Sequence, residues 1–193
     1  MKRVVLLFAA ILAIGVAANA QGLAIGGKME NFSLTDANGK AQTLNDVKGT
    51  NGTVIIFVSS QCPVVRAYNE RMNQIATDYK AKGINVIGVN ANVTESPMEI
   101  KMHGEATYKF PVLIDKNSVL AEKINANNTP EAFFVDSKNV LLYHGAIDND
   151  RSGRNVTEPY LRNAFEAALA GKKVEKASTV AFGCTIKKPG DGN

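Results

Sequence analysis

Residues 53–66, TVIIFVSSQCPVVR, place a cysteine at the boundary between two sequence patterns. Residues 54–58 form a continuous apolar run rich in β-branched side chains, which is typical of a strand buried on both faces. From Pro63 to about residue 82, apolar residues recur at spacings of three and four, which predicts an amphipathic helix. These residues are Val64, Tyr68, Met72, Ile75 and Tyr79. Cys62 therefore lies where a buried strand ends and a helix begins.

This position predicts a reactive thiol at Cys62. The unpaired N–H groups and the positive end of the helix dipole would face its sulfur. Such a setting lowers the pKa of a thiol and makes a thiolate available near neutral pH. In α/β folds, the carboxyl ends of parallel strands are also where ligands bind. The alternative is a buried structural cysteine that acts as a small hydrophobic residue, but it explains the position less well.

Strands and helices alternate along the rest of the 193-residue chain. Strands are predicted at residues 32–34, 41–44, 84–89, 112–114, 133–135 and 140–143, helices at 97–108, 118–124 and 158–170, and a polar connector at 45–53. This order predicts an α/β fold whose mixed sheet has a parallel core and begins with an N-terminal β-hairpin. One domain is expected over residues 22–175. The tail at 176–193 carries Cys184 and an apolar patch, so it is expected to dock on that domain.

The first twenty residues have the pattern of a secretory signal peptide. Residues 1–3 give a basic start, residues 4–16 are almost wholly apolar, and residues 18–20 read Ala-Asn-Ala. The apolar run is shorter than the roughly 20 residues that span a bilayer. Cleavage before Gln21 is therefore expected, with export to the periplasm or the exterior and no stable membrane insertion afterwards. In such an oxidising compartment two cysteines can form a disulfide.

Charge and composition exclude several partners. The formal net charge is +4, and removal of Lys2 and Arg3 with the signal leaves 4 − 2 = +2. No stripe of basic and aromatic residues is present, so nucleic acid is not expected as a partner. His103 and His144 have no metal-ligand spacing to each other or to a cysteine, so no metal site is expected. Residues 148–150, Asp-Asn-Asp, lack the glycine and glutamate of a calcium loop and are expected to form a solvated turn.

Residues 22–171 resemble the thioredoxin-like superfamily, in particular redoxins of the alkyl hydroperoxide reductase and thiol-specific antioxidant type. The resemblance is carried by the strand TVIIFVSS, by Cys-Pro opening a helix, and by INVIGVNAN at residues 84–92. Residues 128–136, NTPEAFFVD, look like the Thr–cis-Pro turn of this family and the strand after it. The resemblance implies a thioredoxin-like fold in which Thr129 and Pro130 lie against the sulfur of Cys62 and help to bind substrate.

The chain departs from the patterns of its relatives at three places. Thioredoxins carry Cys-x-x-Cys, but Val65 replaces the second cysteine, so another group must release a mixed disulfide at Cys62. Peroxiredoxins carry Pro-x-x-x-Thr/Ser-x-x-Cys; Ser59 fits, but Ile55 replaces the proline, and Thr129-Pro130 occupies the neighbourhood of the family's arginine. Copper-delivery proteins of this fold use two nearby cysteines and a histidine, but Val65 stands in place of a second nearby thiol here. No cofactor is expected.

Cys184 is the candidate partner of Cys62, because small exported proteins similar to this one often end in a Gly-Cys segment. Three functions remain open. The first is a thiol–disulfide oxidoreductase that uses Cys62 as nucleophile and Cys184 as resolving cysteine, with protein thiols and disulfides or a small thiol as substrates. The second is a thiol peroxidase that reduces a peroxide. The third is a non-catalytic binding module with a structural Cys62–Cys184 disulfide.

Three further residues near Cys62 are candidates for contacts with substrate or with the thiolate. Ser59 and Gln61 could donate hydrogen bonds, although turn chemistry also explains residues of these types here. Arg66 could stabilise a thiolate one helical turn away, or could simply solvate the flank of the helix.

Overall fold

The computed structural model describes residues 22–191, so the predicted signal segment at 1–20 lies outside the described residues. The strands are β1 (Ser33–Asp36), β2 (Ala41–Thr43), β3 (Gly52–Phe57), β4 (Ile84–Asn90), β5 (Val112–Ile114), β6 (Asn128–Thr129), β7 (Glu131–Asp136), β8 (Leu141–Gly145) and β9 (Cys184–Thr185). The helices are α1 (Leu44–Val47), α2 (Pro63–Lys80), α3 (Pro97–Thr107), α4 (Val119–Ile124) and α5 (Tyr160–Leu169). None of the helices between residues 22 and 191 combines the length and apolar character needed to cross a bilayer.

Seven of the strands form one mixed sheet in the order β2-β1-β5-β4-β3-β7-β8. β3, β4 and β5 run parallel, because the helices α2 and α3 return the chain to the same end of the sheet. β1 and β2 form the N-terminal hairpin, and β7 is antiparallel to β3. β6 and β9 form a separate two-stranded antiparallel sheet. The predicted α/β class with a mixed central sheet and an N-terminal hairpin is confirmed.

β3 lies in the middle of the sheet, and all six of its residues are buried. Val54 and Ile56 pack into the apolar cluster beneath α2 and α5, whereas Ile55 and Phe57 pack into the cluster on the opposite face. Burial on both faces is what the continuous apolar run predicts. α2 covers one face with the residues predicted from its periodicity. Apolar packing on both faces of the sheet therefore fixes the end of β3, and packing of α2 on one face fixes the start of the helix that follows it.

The boundaries of the predicted elements agree with the sequence pattern to within two residues, whereas very short elements were missed. α1 starts at the last residue of the strand predicted at 41–44 and extends into the segment predicted as a polar connector at 45–53. A capping box starts it: the Asp46 N–H donates to Thr43 Oγ1 at 3.3 Å, and the Thr43 N–H donates to Asp46 Oδ2 at 2.9 Å. α4 begins at Val119, one residue later than predicted. A four-residue helix is too short to show an apolar period, so only its cap could have indicated it.

The prediction of a solvated turn at residues 148–150 is wrong for Asp148, which is only 3% exposed. Asp148 accepts hydrogen bonds from Tyr68 Oη at 2.8 Å and from Arg71 Nη1 at 2.6 Å. Arg71 also donates to the Asp150 carbonyl oxygen at 2.8 Å and so ties the loop after β8 to α2. Burial, together with the Asp148 carboxylate, raises the pKa of Tyr68. Asp148 is thus a structural anchor for the helix that begins at Cys62.

The C-terminal tail docks on the domain over its described part, as predicted. The His144 N–H donates to the Ala177 carbonyl oxygen at 2.9 Å, and the Thr179 N–H donates to the His144 carbonyl oxygen at 3.0 Å. Further on, β9 pairs with β6. The tail therefore runs from the outer strand β8 across to the N-terminus of α2, where Cys62 lies. The domain limits at 22–175 and 176–193 stay a prediction.

Candidate active site

Cys62 and Cys184 are joined by a disulfide although they lie 122 positions apart in the sequence. Cys62 is the N-cap residue of α2, Pro63 follows at the first helical position, and the Arg66 N–H donates to the Cys62 carbonyl oxygen at 3.2 Å. Cys62 is 2% exposed, whereas Cys184 is partly exposed. The predicted placement at the junction of strand and helix is confirmed, and the partner of Cys62 is in the tail.

The Thr129–Pro130 peptide bond is cis, as the resemblance implied, and it lies beside the disulfide. The Thr129 carbonyl oxygen is 3.3 Å from Cys62 Sγ. This is a contact without a hydrogen bond, because a disulfide sulfur carries no hydrogen. Thr129 Oγ1 lies 3.4 Å from the Cys184 carbonyl oxygen and donates to it. Both sulfur-bearing residues thus contact Thr129.

The tail follows the chain segment that precedes Pro130. β9 and β6 are antiparallel, with Thr129 opposite Cys184 and Asn128 opposite Thr185. The pairing continues where the Ile186 N–H donates to the Asn127 carbonyl oxygen at 2.9 Å. The two short strands are too brief to be recognised from the sequence. They determine that the tail approaches Cys62 as an extended chain.

The other predicted site residues lie around Cys62 but have different surroundings. Ser59 is buried, and its hydroxyl donates to Glu95 Oε1 at 2.5 Å. The Gln61 N–H donates to Ser59 Oγ at 3.2 Å, so Ser59 does the turn chemistry that the sequence suggested. Gln61 and Arg66 are exposed on either side of Cys62.

Glu95 is a buried carboxylate of the site that the sequence analysis missed. It is 6% exposed, and its Oε2 accepts hydrogen bonds from the Ser60 N–H at 2.8 Å and the Ser60 hydroxyl at 2.5 Å. Asn90 Nδ2 donates to the same oxygen at 2.9 Å. One carboxylate therefore fixes both serines of the loop that leads into Cys62. The available signal was that Glu95 follows β4, whose carboxyl end lies beside that of β3.

The charge of Glu95 also acts on the aromatic side chains along α3. Burial lowers the pKa of His103, the Arg66 guanidinium lowers it further, and the Glu95 carboxylate opposes both effects. Burial and the same carboxylate raise the pKa of Tyr108. Glu95, beneath the loop before Cys62, and Arg66, on the flank of α2, thus act on the pKa of His103 in opposite directions.

We expect Glu95→Ala to lower the free energy of unfolding by about 2–3 kcal/mol, because it leaves the Ser60 N–H and the buried Ser59 hydroxyl without their acceptor. Urea denaturation of the two proteins measures this loss. Glu105→Ala, an exposed change on α3, is the control and should change stability far less. Equal stability of the two variants would contradict the role of Glu95.

A second buried carboxylate at the site, that of Glu131, fixes the segment before the cis Thr129–Pro130 bond. Its Oε2 accepts the N–H groups of Asn127 and Asn128 at 2.7 and 2.8 Å. Its Oε1 lies 2.6 Å from His144 Nε2, and the His144 ring stacks on Phe133 with ring centroids 4.1 Å apart.

The described residues contain no cluster of three or more histidine, cysteine or acidic side chains suited to a metal ion.

Comparison with known proteins agrees with this geometry. Residues 25–144 match the AhpC/TSA family. A thiol-disulfide oxidoreductase ResA of Bacillus cereus is 31% identical over 124 residues, which cover 63% of this chain and 69% of that protein. A hypothetical protein of Sinorhizobium meliloti 1021 superposes with a TM-score of 0.80 at 31% identity, over 88% of this chain and 97% of that chain.

The thioredoxin-like fold follows from a more distant neighbour. The pneumococcal exposed lipoprotein thioredoxin of Streptococcus pneumoniae has a TM-score of 0.56 at 21% identity, over 71% of this chain and 99% of that chain. The predicted thioredoxin-like fold is therefore confirmed.

Proposed function

Because the chain belongs to the AhpC/TSA family, we propose that it is an exported thiol–disulfide oxidoreductase with Cys62 as nucleophile and Cys184 as resolving cysteine. The observation that carries the proposal is the disulfide between these residues at the N-terminus of α2, against the cis Thr129–Pro130 bond. The similarity to the thiol-disulfide oxidoreductase ResA supports the same class of reaction. The substrates are then protein disulfides and thiols or a small thiol.

The proposed exchange has two steps, starting from the dithiol form. The Cys62 thiolate attacks one sulfur of a partner disulfide, forms a mixed disulfide and releases the other sulfur as a thiolate. The Cys184 thiolate then attacks Cys62 Sγ, forms the Cys62–Cys184 disulfide and releases the second partner thiolate. The partner gains two electrons and the chain loses two. A dithiol reductant must then return the chain to its dithiol form.

The surroundings of the two sulfurs support this division of roles. The first N–H groups of α2 face Cys62, and they favour its thiolate over its thiol. Cys184 lies in a two-residue strand of the tail, with no helix N-terminus beside it. Val65, fully buried in α2, stands where a nearer resolving cysteine would be. A distant cysteine on a segment that can leave the site takes over this role.

Peroxidase chemistry is a weaker candidate for the same thiol. It would oxidise Cys62 to a sulfenic acid that Cys184 resolves. Ile55, at the position of the peroxiredoxin proline, is buried within β3, and Thr129 contacts the disulfide in the neighbourhood expected for the peroxiredoxin arginine. The set of residues that activates a peroxide in that family is thus incomplete, although Ser59 fits one of its positions. Consumption of peroxide no faster than by a free thiol would remove this alternative.

The proposed function also includes export of the chain. The sequence pattern at residues 1–20 and the disulfide support it, because disulfides persist mainly in oxidising compartments. The mass of the protein recovered from a periplasmic or extracellular fraction tests it. A mature chain that begins at Gln21 is the expected result, and an unprocessed chain in the cytoplasm would contradict it.

Titration of the Cys62 thiol tests the nucleophile directly. In the full-length Cys184→Ser variant, we expect Cys62 to alkylate faster than free cysteine at pH 7, with a midpoint below the ordinary thiol pKa of about 8.5. The physical reason is the helix N-terminus at Cys62. Mass spectrometry after alkylation reports which sulfur has reacted at each pH. Alkylation of Cys62 no faster than that of free cysteine would leave the disulfide with a structural role only.

A further inference from the structure

The Cys62–Cys184 disulfide is chemically identical to a mixed disulfide between Cys62 and a cysteine of another protein. The tail segment at residues 182–186, Phe-Gly-Cys-Thr-Ile, therefore occupies the position of a bound cysteine-containing peptide. We propose that Cys62 prefers cysteines in extended protein segments patterned like this tail, with glycine directly before the cysteine and an aliphatic residue two positions after it. The proposal rests on the proposed function, since it names the substrates of that exchange.

The main-chain contacts of the tail require an extended partner but not a particular sequence. Cys184 and Thr185 pair with Thr129 and Asn128, and the next N–H, that of Ile186, donates to the Asn127 carbonyl oxygen. Strand addition of this kind uses only backbone groups, so any extended segment can supply them. Sequence preference must therefore come from the side chains on either side of the cysteine.

Gly183 provides the sharpest restriction. A Cβ atom at this position would lie 2.1 Å from the Thr129 carbonyl oxygen, 2.7 Å from the Thr129 carbonyl carbon and 3.2 Å from Pro130 N. All three atoms belong to the cis peptide unit, which cannot swing aside as a flexible side chain could. Gly183 is not among the glycines with positive φ, so space rather than backbone conformation excludes a side chain here. A partner residue in the same place meets the same limit.

Ile186 provides the second restriction. It is 1% exposed and packs in the apolar cluster opposite α2, whereas Thr185 is exposed. This alternation is that of a strand with one face on the protein, so the second residue after the cysteine points inward. The buried position of Ile186 therefore favours an aliphatic side chain two positions after the cysteine. Two positions before the cysteine, the Phe182 ring lies 6.3 Å from the Tyr68 ring, measured between centroids.

The tail and the partner segment use the same edge of Asn127, Asn128 and Thr129, so they bind in turn. The tail must leave before the Cys62 thiolate can attack the partner cysteine in the first step of exchange. The partner segment must then leave this edge while its sulfur is still joined to Cys62. The returning tail brings the Cys184 thiolate to Cys62 Sγ, on the side opposite the partner sulfur, and the partner is released.

Activated peptides test the proposal on the full-length Cys184→Ser variant. Three peptides are compared: Phe-Gly-Cys-Thr-Ile, its Gly→Ala version and its Ile→Ser version, each as a mixed disulfide with 5-thio-2-nitrobenzoate. Stopped-flow absorbance follows release of the coloured thiolate, and each rate is divided by the rate with free cysteine to remove intrinsic reactivity. We expect both altered peptides to react about tenfold more slowly or worse. The tail of the variant lowers all three ratios by the same factor, so it cancels when the peptides are compared with each other.

The parent reagent, 5,5′-dithiobis(2-nitrobenzoate), distinguishes failure of the substrate preference from failure of the proposed function. Fast reaction with this reagent together with equal rates for all three peptides overturns the substrate preference and leaves the proposed function intact. Reaction with this reagent no faster than that of free cysteine overturns the proposed function, and the preference with it.

A substitution in the chain gives an independent measurement. Gly183→Ala in the otherwise unchanged chain should loosen the tail, so that dithiothreitol reduces the Cys62–Cys184 disulfide about tenfold faster or more. Gly104→Ala is the matched control, because its Cβ would lie 3.4 Å from Val112, an ordinary contact. Equal reduction rates for both variants would contradict the steric limit at Gly183.

Discussion

Cys62→Ser is expected to abolish catalysed disulfide exchange, leaving only the rate of the reductant by itself. Serine retains the shape of the buried position, but its hydroxyl cannot form a disulfide and is not ionised near neutral pH. Reduction of a model protein disulfide by dithiothreitol, followed by turbidity or by thiol release, measures the effect.

Cys184→Ser is the matched control, because it removes the second sulfur and keeps the first. Reduced beforehand and freed of dithiothreitol, this variant should complete the first step once per chain and then accumulate a mixed disulfide at Cys62, which non-reducing mass spectrometry can identify. Turnover by Cys62→Ser at the wild-type rate would show that Cys62 is not the nucleophile. Repeated turnover by Cys184→Ser would show that another thiol resolves the intermediate.

Reduction of the Cys62–Cys184 disulfide is expected to lower the free energy of unfolding by about 5 kcal/mol at 25 °C. The disulfide closes a loop across a sequence separation of 122, and the chain-entropy relation for a loop of this size gives that magnitude. Urea denaturation of the oxidised protein and of the protein kept in dithiothreitol measures the difference. The Cys184→Ser variant without reductant should match the reduced protein.

The same samples separate a redox disulfide from a structural one. A reduction potential below about −300 mV is typical of structural disulfides, whereas a higher value is typical of pairs that exchange. We expect the higher value, because the proposed function requires the pair to be reduced in each cycle. A loss of stability much smaller than about 5 kcal/mol on reduction would contradict the loop-entropy account.

The strand, the helix and the cysteine between them could be predicted because each follows from local pattern. Six buried residues of β3 and one apolar face of α2 leave a clear periodic signal, and Cys62 lies at their boundary. The cis bond at Pro130 was predicted by resemblance, since X–Pro bonds in folded proteins are seldom cis. Cys184 is the only other cysteine in the sequence, but local pattern cannot reveal whether it comes to Cys62, so formation of the disulfide was left open.

The structural roles of the buried carboxylates Glu95 and Asp148 could not be predicted, because these roles depend on contacts between distant parts of the chain. Glu95 binds a serine 36 positions away, and Asp148 binds a tyrosine 80 positions away. In sequence each looks like an ordinary loop residue, and only burial with its donors distinguishes it. The strands β6 and β9 were missed for a similar reason, since two residues each are too few for any period.

The sequence distance between the two sulfurs also has a consequence for biosynthesis. At about 5–20 residues per second, a ribosome adds the 122 positions between Cys62 and Cys184 in about 6–24 seconds. Throughout that interval the nascent chain holds the strand and the helix of the site but not the residue that closes it. A thiol that an oxidant reaches so early can only pair with a foreign sulfur. A mixed disulfide formed so early would persist until the segment that carries Cys184 has been made, and the resolving step proposed above could then release the foreign sulfur.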